Sequence, residues 1–310
     1  MTKGSTALRV SSGLSPLQRR QQRLGWLFLT PALLILAALG FYPLLRTIWL
    51  SFTDAELASS VAPRMVGAAN YVRLMRDAEF HGAIQHTLAF TLISVSLEMI
   101  CGFAVAMLLN ARLPWRGVLR ALVLVPWALP TVVSAKVWNY MFVDTYGVIN
   151  DLLVTRLGLL STKIAYLAEP GLALGAVIAV DVWKTTPFVA LLLLGGLQLI
   201  PPQLNEAAAV DGASPLRRMW HITLPMLMPM VFVTLVFRTL DALRVFDLIW
   251  VLTRGQSATE SLATYNYRQM VDFRLLGQGS AVSVVILLIV AVFVIAYVAL
   301  FRPGRSAEGE

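Results

Sequence analysis

Apolar residues along this chain gather into long blocks separated by short polar segments. The blocks fall at roughly 25–49, 87–109, 119–142, 172–199, 225–247 and 280–300. Each is about twenty residues or longer, enough to cross the hydrocarbon core of a bilayer as a helix. The pattern therefore predicts an all-α integral membrane protein with six transmembrane helices. The connecting segments are too short to hold an independent soluble domain. One membrane domain at 24–301 is expected, between a disordered basic tail at 1–23 and a short tail at 302–310.

Prolines punctuate several blocks. Pro126 and Pro130 fall in the third, Pro187 in the fourth, and Pro225 and Pro229 at the start of the fifth. A proline inside a span frees backbone carbonyls and permits bending, so bends are expected there. Trp127, Trp138 and Tyr140 suit either that region or an interfacial belt.

Composition agrees with a membrane protein: 58% of the 310 residues are hydrophobic. The formal charge of +8 would by itself suit nucleic acid, but its placement argues for a bilayer. Lys3, Arg9, Arg19, Arg20 and Arg23 precede the first block with no acid among them, and Arg112, Arg116 and Arg120 follow the second. The segments after the first and third blocks hold Asp54, Glu56, Asp77, Glu79, Asp144, Asp151 and Glu169, with sparser bases. Cytoplasmic loops carry the excess of Lys and Arg, so both termini are expected in the cytoplasm and the protein in the cell membrane. No nucleic-acid partner is expected.

Enzymatic chemistry finds little support. Cys101 is the only cysteine and lies within a block, so neither an internal disulfide nor a cysteine metal cluster is available. His81, His86 and His221 are scattered and form no set with a nucleophile. Lys184-Thr185 has the end of a phosphate-binding G-x-x-x-x-G-K-[ST] loop, but residues 176–183 contain no glycine. Neither a catalytic residue, a metal nor a cofactor is expected, and any ATP-driven work must use a separate subunit.

The loop between the fourth and fifth blocks, at 200–225, carries the most specific pattern. Glu206-Ala207-Ala208 is followed after two residues by Asp211-Gly212, and then by Ile222-Thr223-Leu224-Pro225. The alanine-rich stretch favours a helix, and Asp-Gly favours a turn that ends it. Ser214 and Pro215 supply an N-cap and a first helical residue for a second short helix. This spacing resembles the cytoplasmic coupling loop of ABC importer membrane subunits. Asn70-Tyr71 and Asp77 to Phe80 also resemble a recurrent segment of that family, and read alone as an interfacial helix.

The resemblance covers about residues 20–300 and implies the permease of a binding-protein-dependent sugar importer, with the type I ABC importer fold. Two short coupling helices would dock on an ATPase through Glu206, Ala207, Ala208, Asp211, Gly212, Ile222, Leu224 and Pro225. The implied partners are a second, similar permease subunit, two ATP-binding subunits and an extracytoplasmic sugar-binding protein. The implied mechanism is alternating access.

Ionisable residues inside spans are expensive and usually face a bundle interior or a wet path. The fourth block holds Asp181 and Lys184, and the fifth Arg238, Asp241, Arg244 and Asp247; Glu98 and Lys136 look more isolated. Lys184 is about fifteen residues, roughly 22 Å, from the inner end of its span, and Arg238 about thirteen, roughly 20 Å, from the same edge. A shared polar pocket at similar depth is expected. The alternative is that Asp181/Lys184, Arg238/Asp241 and Arg244/Asp247 are i,i+3 pairs that only neutralise one another. On a continuous helix the four charges of the fifth block cannot all face one cavity, and Asp247 is expected near the outer interface.

Similarity to the maltose-type permease places substrate contacts at Lys184, Thr185, Phe188, Arg238, Asp241, Ala242 and Val245. Asp181 and Arg244 join them as intramembrane charges. The runs 182–188 and 237–242 look closer to the trehalose-importer branch, so a disaccharide is the expected cargo. An anionic cargo such as glycerol phosphate remains open, since Lys184 and Arg238 would attract it, as does an ion-coupled transporter.

Overall fold

The computed structural model describes residues 16–111, 114–256 and 258–300. Residues 1–15 of the expected basic tail, and 301–310 beyond the last span, lie outside them. The described chain is almost wholly helical. Five helices are long and apolar enough to cross a membrane, and a bent pair makes a sixth span.

The first helix begins at Pro16, and its apolar span, Arg20–Leu50, runs through a π-helical turn at Ala37–Phe41. Its side chains from Arg20 to Leu45 are exposed. The second span is Ala78–Asn110, the fourth Pro170–Gln198 and the sixth Leu276–Leu300. The second and fourth pack together along most of their lengths and form the centre of the bundle. Gly102 makes this closeness possible, because a Cβ there would collide with the Val189 side chain.

Two spans are interrupted, the third at the prolines where bending was expected and the fifth where a continuous helix was. The third consists of Arg116–Ala128 and Thr131–Phe142, bent by 87°. Leu129 is extended, at φ −71° and ψ 138°, as the residue before a proline prefers. Pro130, which has no N–H to offer the preceding turn, starts the second half-helix. The fifth span runs Leu224–Ala242, not to 247, and a second short helix follows at Asp247–Thr253. Freed backbone groups inside a membrane need new partners. Arg244 Nε donates to the Leu240 carbonyl at 3.1 Å, and Ser261 Oγ donates to the Val245 carbonyl at 2.8 Å. Asn139 Nδ2 donates to the Leu252 carbonyl at 3.3 Å, joining the second half-helix of the third span to the short helix that follows the fifth.

The Asn70-Tyr71 and Asp77–Phe80 segment is architectural. Asn70 Nδ2 donates to the carbonyls of Ser51 and Thr53, at 2.9 and 2.8 Å, and so fixes the end of the first span. Asp77 caps the second span through the N–H groups of Glu79 and Phe80 and accepts from Tyr265 Oη at 2.6 Å. At the opposite end of the bundle, Pro202–Val210 and Pro215–Arg218 form two short helices. Between them Gly212 adopts φ +80°, a conformation that a side chain disfavours. The Ser214 hydroxyl accepts from Arg217 N–H at 3.3 Å, and Arg218 Nη1 ties the pair by donating to the Asn205 carbonyl at 3.1 Å.

Candidate functional site

The intramembrane charges meet where the second, fourth and fifth spans touch. Arg238, on the fifth, is 2% exposed, and Glu98, on the second, is fully buried. Arg238 Nε donates to Glu98 Oε2 at 2.5 Å, and Nη2 donates to Glu98 Oε1 at 2.8 Å. Nη2 also donates to Asp181 Oδ2 at 3.1 Å, and Nη1 donates to Asp241 Oδ2. The planar guanidinium fork thus meets Glu98 edge to edge and spreads its remaining donors over two aspartates. Glu98 Oε1 also lies 2.6 Å from the Thr185 hydroxyl, which shares its proton with the Asp181 carbonyl.

Glu98 is therefore not isolated, as the sequence suggested, but central. No local spacing reveals it, because its partner lies 140 residues away. The available signal was a carboxylate within an apolar span.

Of the three possible i,i+3 pairs, Arg238 and Asp241 form an ion pair. Lys184 turns from Asp181 and donates to the carbonyls of Leu129 and Trp127, at 2.7 and 3.4 Å. It sits at the broken end of Arg116–Ala128, where the helix dipole and its unsatisfied carbonyls favour a cation. Arg244 bonds to the Leu240 carbonyl. The expected neutral pairing thus accounts for part of the charge, while Lys184 stabilises a helix break.

A cavity of about 270 Å³ opens beside this cluster. From the fourth span it is lined by Asp181, Lys184 and Thr185, and from the fifth by Arg238, Asp241 and Ala242. Arg244, Val245 and Asp247 also line it. This is possible because the helix stops at Ala242, so the fifth-span charges no longer follow one helical rotation. Asp247, expected near the outer interface, lines the cavity. Phe188 is not part of the wall but stacks on Trp127, which is, with centroids 5.6 Å apart and planes inclined by 18°. Trp127 and Thr131, on either side of the Pro130 break, were absent from the sequence-derived set. Lys136 is exposed away from the site.

A second cavity, about 550 Å³, lies at the short-helix end of the bundle and includes Glu206, Asn205 and Arg218. Glu206, Ala207 and Asp211 are exposed, while Ala208 and Ile222 are half-buried. Leu224 is partly covered and Pro225 exposed. That end is an open, largely exposed surface rather than a closed pocket.

Residues 98–304 match the family of binding-protein-dependent transport system inner membrane components. The trehalose/maltose transport system permease protein MalF of Thermococcus litoralis is 42% identical over 296 residues, covering 94% of this chain and 98% of the relative. The trehalose transport system permease protein SugA of Mycobacterium tuberculosis is 38% identical over 289 residues, covering 93% of this chain and 91% of that one. The sulfoquinovosyl glycerol transport system permease protein SmoG of Agrobacterium fabrum is 38% identical over 261 residues, 84% of each chain. A crystal structure of a bacterial ABC transporter involved in alginate import contains a chain with TM-score 0.80 at 23% identity, covering 94% of this chain and 100% of that one. The fold is therefore that of ABC importer permeases. The chain belongs to the binding-protein-dependent inner membrane components: it is a multi-pass membrane subunit of a transport system, not an enzyme.

The geometry separates two kinds of site residue. Arg238→Gln strands the buried carboxylates of Glu98 and Asp181, and breaking such a pair costs about 3–5 kcal/mol. It should sharply lower the yield and melting temperature of the purified protein. Asp241, with its side chain 73% exposed, should tolerate Asn with near-normal melting, since exposed pairs contribute about 0–1 kcal/mol. Equal destabilisation by the two changes, read by thermal melting, would contradict this division.

Proposed function

We propose that this chain is the permease subunit of an ATP-driven importer that carries a neutral sugar, a disaccharide of the trehalose or maltose kind favoured, by alternating access. The observation that carries the choice of cargo is the commitment of Arg238. Nε, Nη1 and Nη2 all donate to carboxylates, so this cation is not waiting for an anion. Lys184 is likewise directed at backbone carbonyls. The wall offers Asp181, Asp241 and Asp247 beside Thr185 and Thr131. Carboxylates accept strong charge-assisted hydrogen bonds from hydroxyls, and the Trp127–Phe188 pair adds an apolar ring face of the kind sugars stack against. The names of the MalF and SugA relatives point to the same cargo.

A second reading, an anionic solute, rests on Arg244, which lines the cavity and is exposed in it. The name of the SmoG relative gives it some weight. Glycerol phosphate belongs to this class.

In the proposed assembly, this chain pairs with a second permease subunit. Two ATPase subunits dock at the short helices around Glu206 and Gly212, and an extracytoplasmic binding protein delivers sugar at the opposite end. Both termini and the short helices are on the cytoplasmic side.

Proteoliposomes holding the complete complex, with ATP and binding protein, should accumulate labelled trehalose or maltose, and ionophores that collapse ion gradients should leave uptake intact. Excess glycerol phosphate should compete poorly. Uptake driven by an ion gradient without ATP, or strong competition by the anion, would overturn the reading.

Gly212→Leu places a β-carbon at φ +80°, at a cost of roughly 1–2 kcal/mol. It should lower sugar-coupled ATP hydrolysis while sugar binding persists, and so should Glu206→Ala. Unchanged uptake and stimulated ATPase activity in both variants would remove the coupling assignment.

Orientation is tested in a Cys101→Ser background. Cysteine at Ser161 should react with a membrane-impermeant thiol reagent applied to intact cells, and cysteine at Arg218 should not. The reverse pattern would invert the topology.

A further inference from the structure

Glu98 is fully buried and does not line the cavity, yet it holds the only face of Arg238 that carries Nε. Both oxygens of its carboxylate engage the guanidinium, and Oε1 also meets Thr185. This leaves Nη1 paired with the exposed Asp241, which lines the cavity. Glu98 therefore fixes two things at once: the direction in which Arg238 points and the charge that Arg238 brings to the wall.

Backbone packing explains how a carboxylate on the second span reaches so far. Gly102 is one turn beyond Glu98, and Val189 one turn beyond Thr185. At that level the two helices approach so closely that a Cβ on Gly102 would strike Val189. The close approach brings Glu98 against Thr185 and beneath the fourth span, within reach of Arg238. Thr185 ties the carboxylate to the Asp181 carbonyl in the same helix, so the position of Glu98 is set from two spans.

We propose that Glu98 is a positioning residue that sets charge selectivity: by occupying and neutralising Arg238, it keeps the cavity suited to uncharged sugars and poor for acidic ones. This rests on the sugar reading above and specifies which residue enforces it. Without the Glu98 charge, the Nε edge and part of Nη2 lose their acceptor. With one negative charge fewer beside the wall, a carboxylate or phosphate in the cavity is repelled less and can compete with Asp241 and Asp181 for the guanidinium.

The test uses the complete transporter in proteoliposomes, with one preparation of binding protein for all variants, so that differences belong to the permease. Labelled trehalose is the neutral probe, and an otherwise similar disaccharide carrying one carboxylate is the acidic one. Glu98→Gln keeps size but removes charge. It should lower the maximal trehalose rate by about tenfold or more, the scale of one charge-assisted hydrogen bond. The KM for loaded binding protein should stay unchanged, because docking occurs elsewhere. The preference for trehalose over the acidic sugar should shrink by a similar factor, an effect that a merely structural role would not produce.

Glu98→Asp keeps charge and withdraws it by one methylene, so it should lower the rate yet retain the neutral preference. An assembled Glu98→Gln transporter with the wild-type preference overturns the proposal. Should the Gln variant fail to assemble, the Asp variant decides: a reduced maximal rate at unchanged KM supports the role, and a wild-type rate overturns it. A wild-type complex that takes up neither probe contradicts the sugar reading itself, and this inference with it.

Discussion

One guanidinium, that of Arg238, is held among Glu98, Asp181 and Asp241 in the middle of an apolar bundle. A charge at that depth is tolerated only with partners that satisfy it, and those partners come from three different spans. The requirement therefore fixes how the second, fourth and fifth spans face one another. Gly102 supplies the steric half of the same constraint, by letting the second and fourth helices approach until Glu98 and Thr185 touch. The cavity then forms on the open side of the cluster, where Asp241 is exposed.

The two helix breaks are the second half of the design. In a bilayer, irregular backbone survives only where it is buried in protein or lines a wet cavity and finds new hydrogen-bond partners. Both breaks do so here. The Pro130 break gives its carbonyls to Lys184, and the 243–246 break gives its own to Arg244 and Ser261. Each break also turns side chains inward, Trp127 and Thr131 in one case and Arg244 and Val245 in the other. The cations that sequence patterning marks as ligand contacts thus do structural service, which is why the wall is less attractive to anions than its arginine and lysine suggest.

Much of this architecture was legible in the chain. Span number and order followed from the apolar blocks, because twenty apolar residues have few other uses. The short helices followed from the Ala-rich run, Asp211-Gly212 and Ser214-Pro215, all local signals. The site was legible by residue type but not by connectivity. Eight of the nine expected contacts line one cavity, with Phe188 behind Trp127, yet Glu98 was missed because tertiary pairing has no sequence period. The breaks show the same limit. Pro31, Pro126, Pro187 and Pro229 remain inside helices while Pro130 ends one, and the Leu243–Phe246 break carries neither proline nor glycine. Donors such as Lys184 and Ser261, which satisfy the freed carbonyls, come from elsewhere in the chain.

The most direct measurement is an experimental structure of the assembled transporter with a neutral disaccharide bound. The account predicts sugar density in the cavity between Asp241, Lys184 and Trp127, with hydroxyls on the exposed carboxylates and Arg238 still paired edge to edge with Glu98. Sugar bound elsewhere in the membrane region, or Arg238 released from Glu98 to grip the ligand, would contradict it.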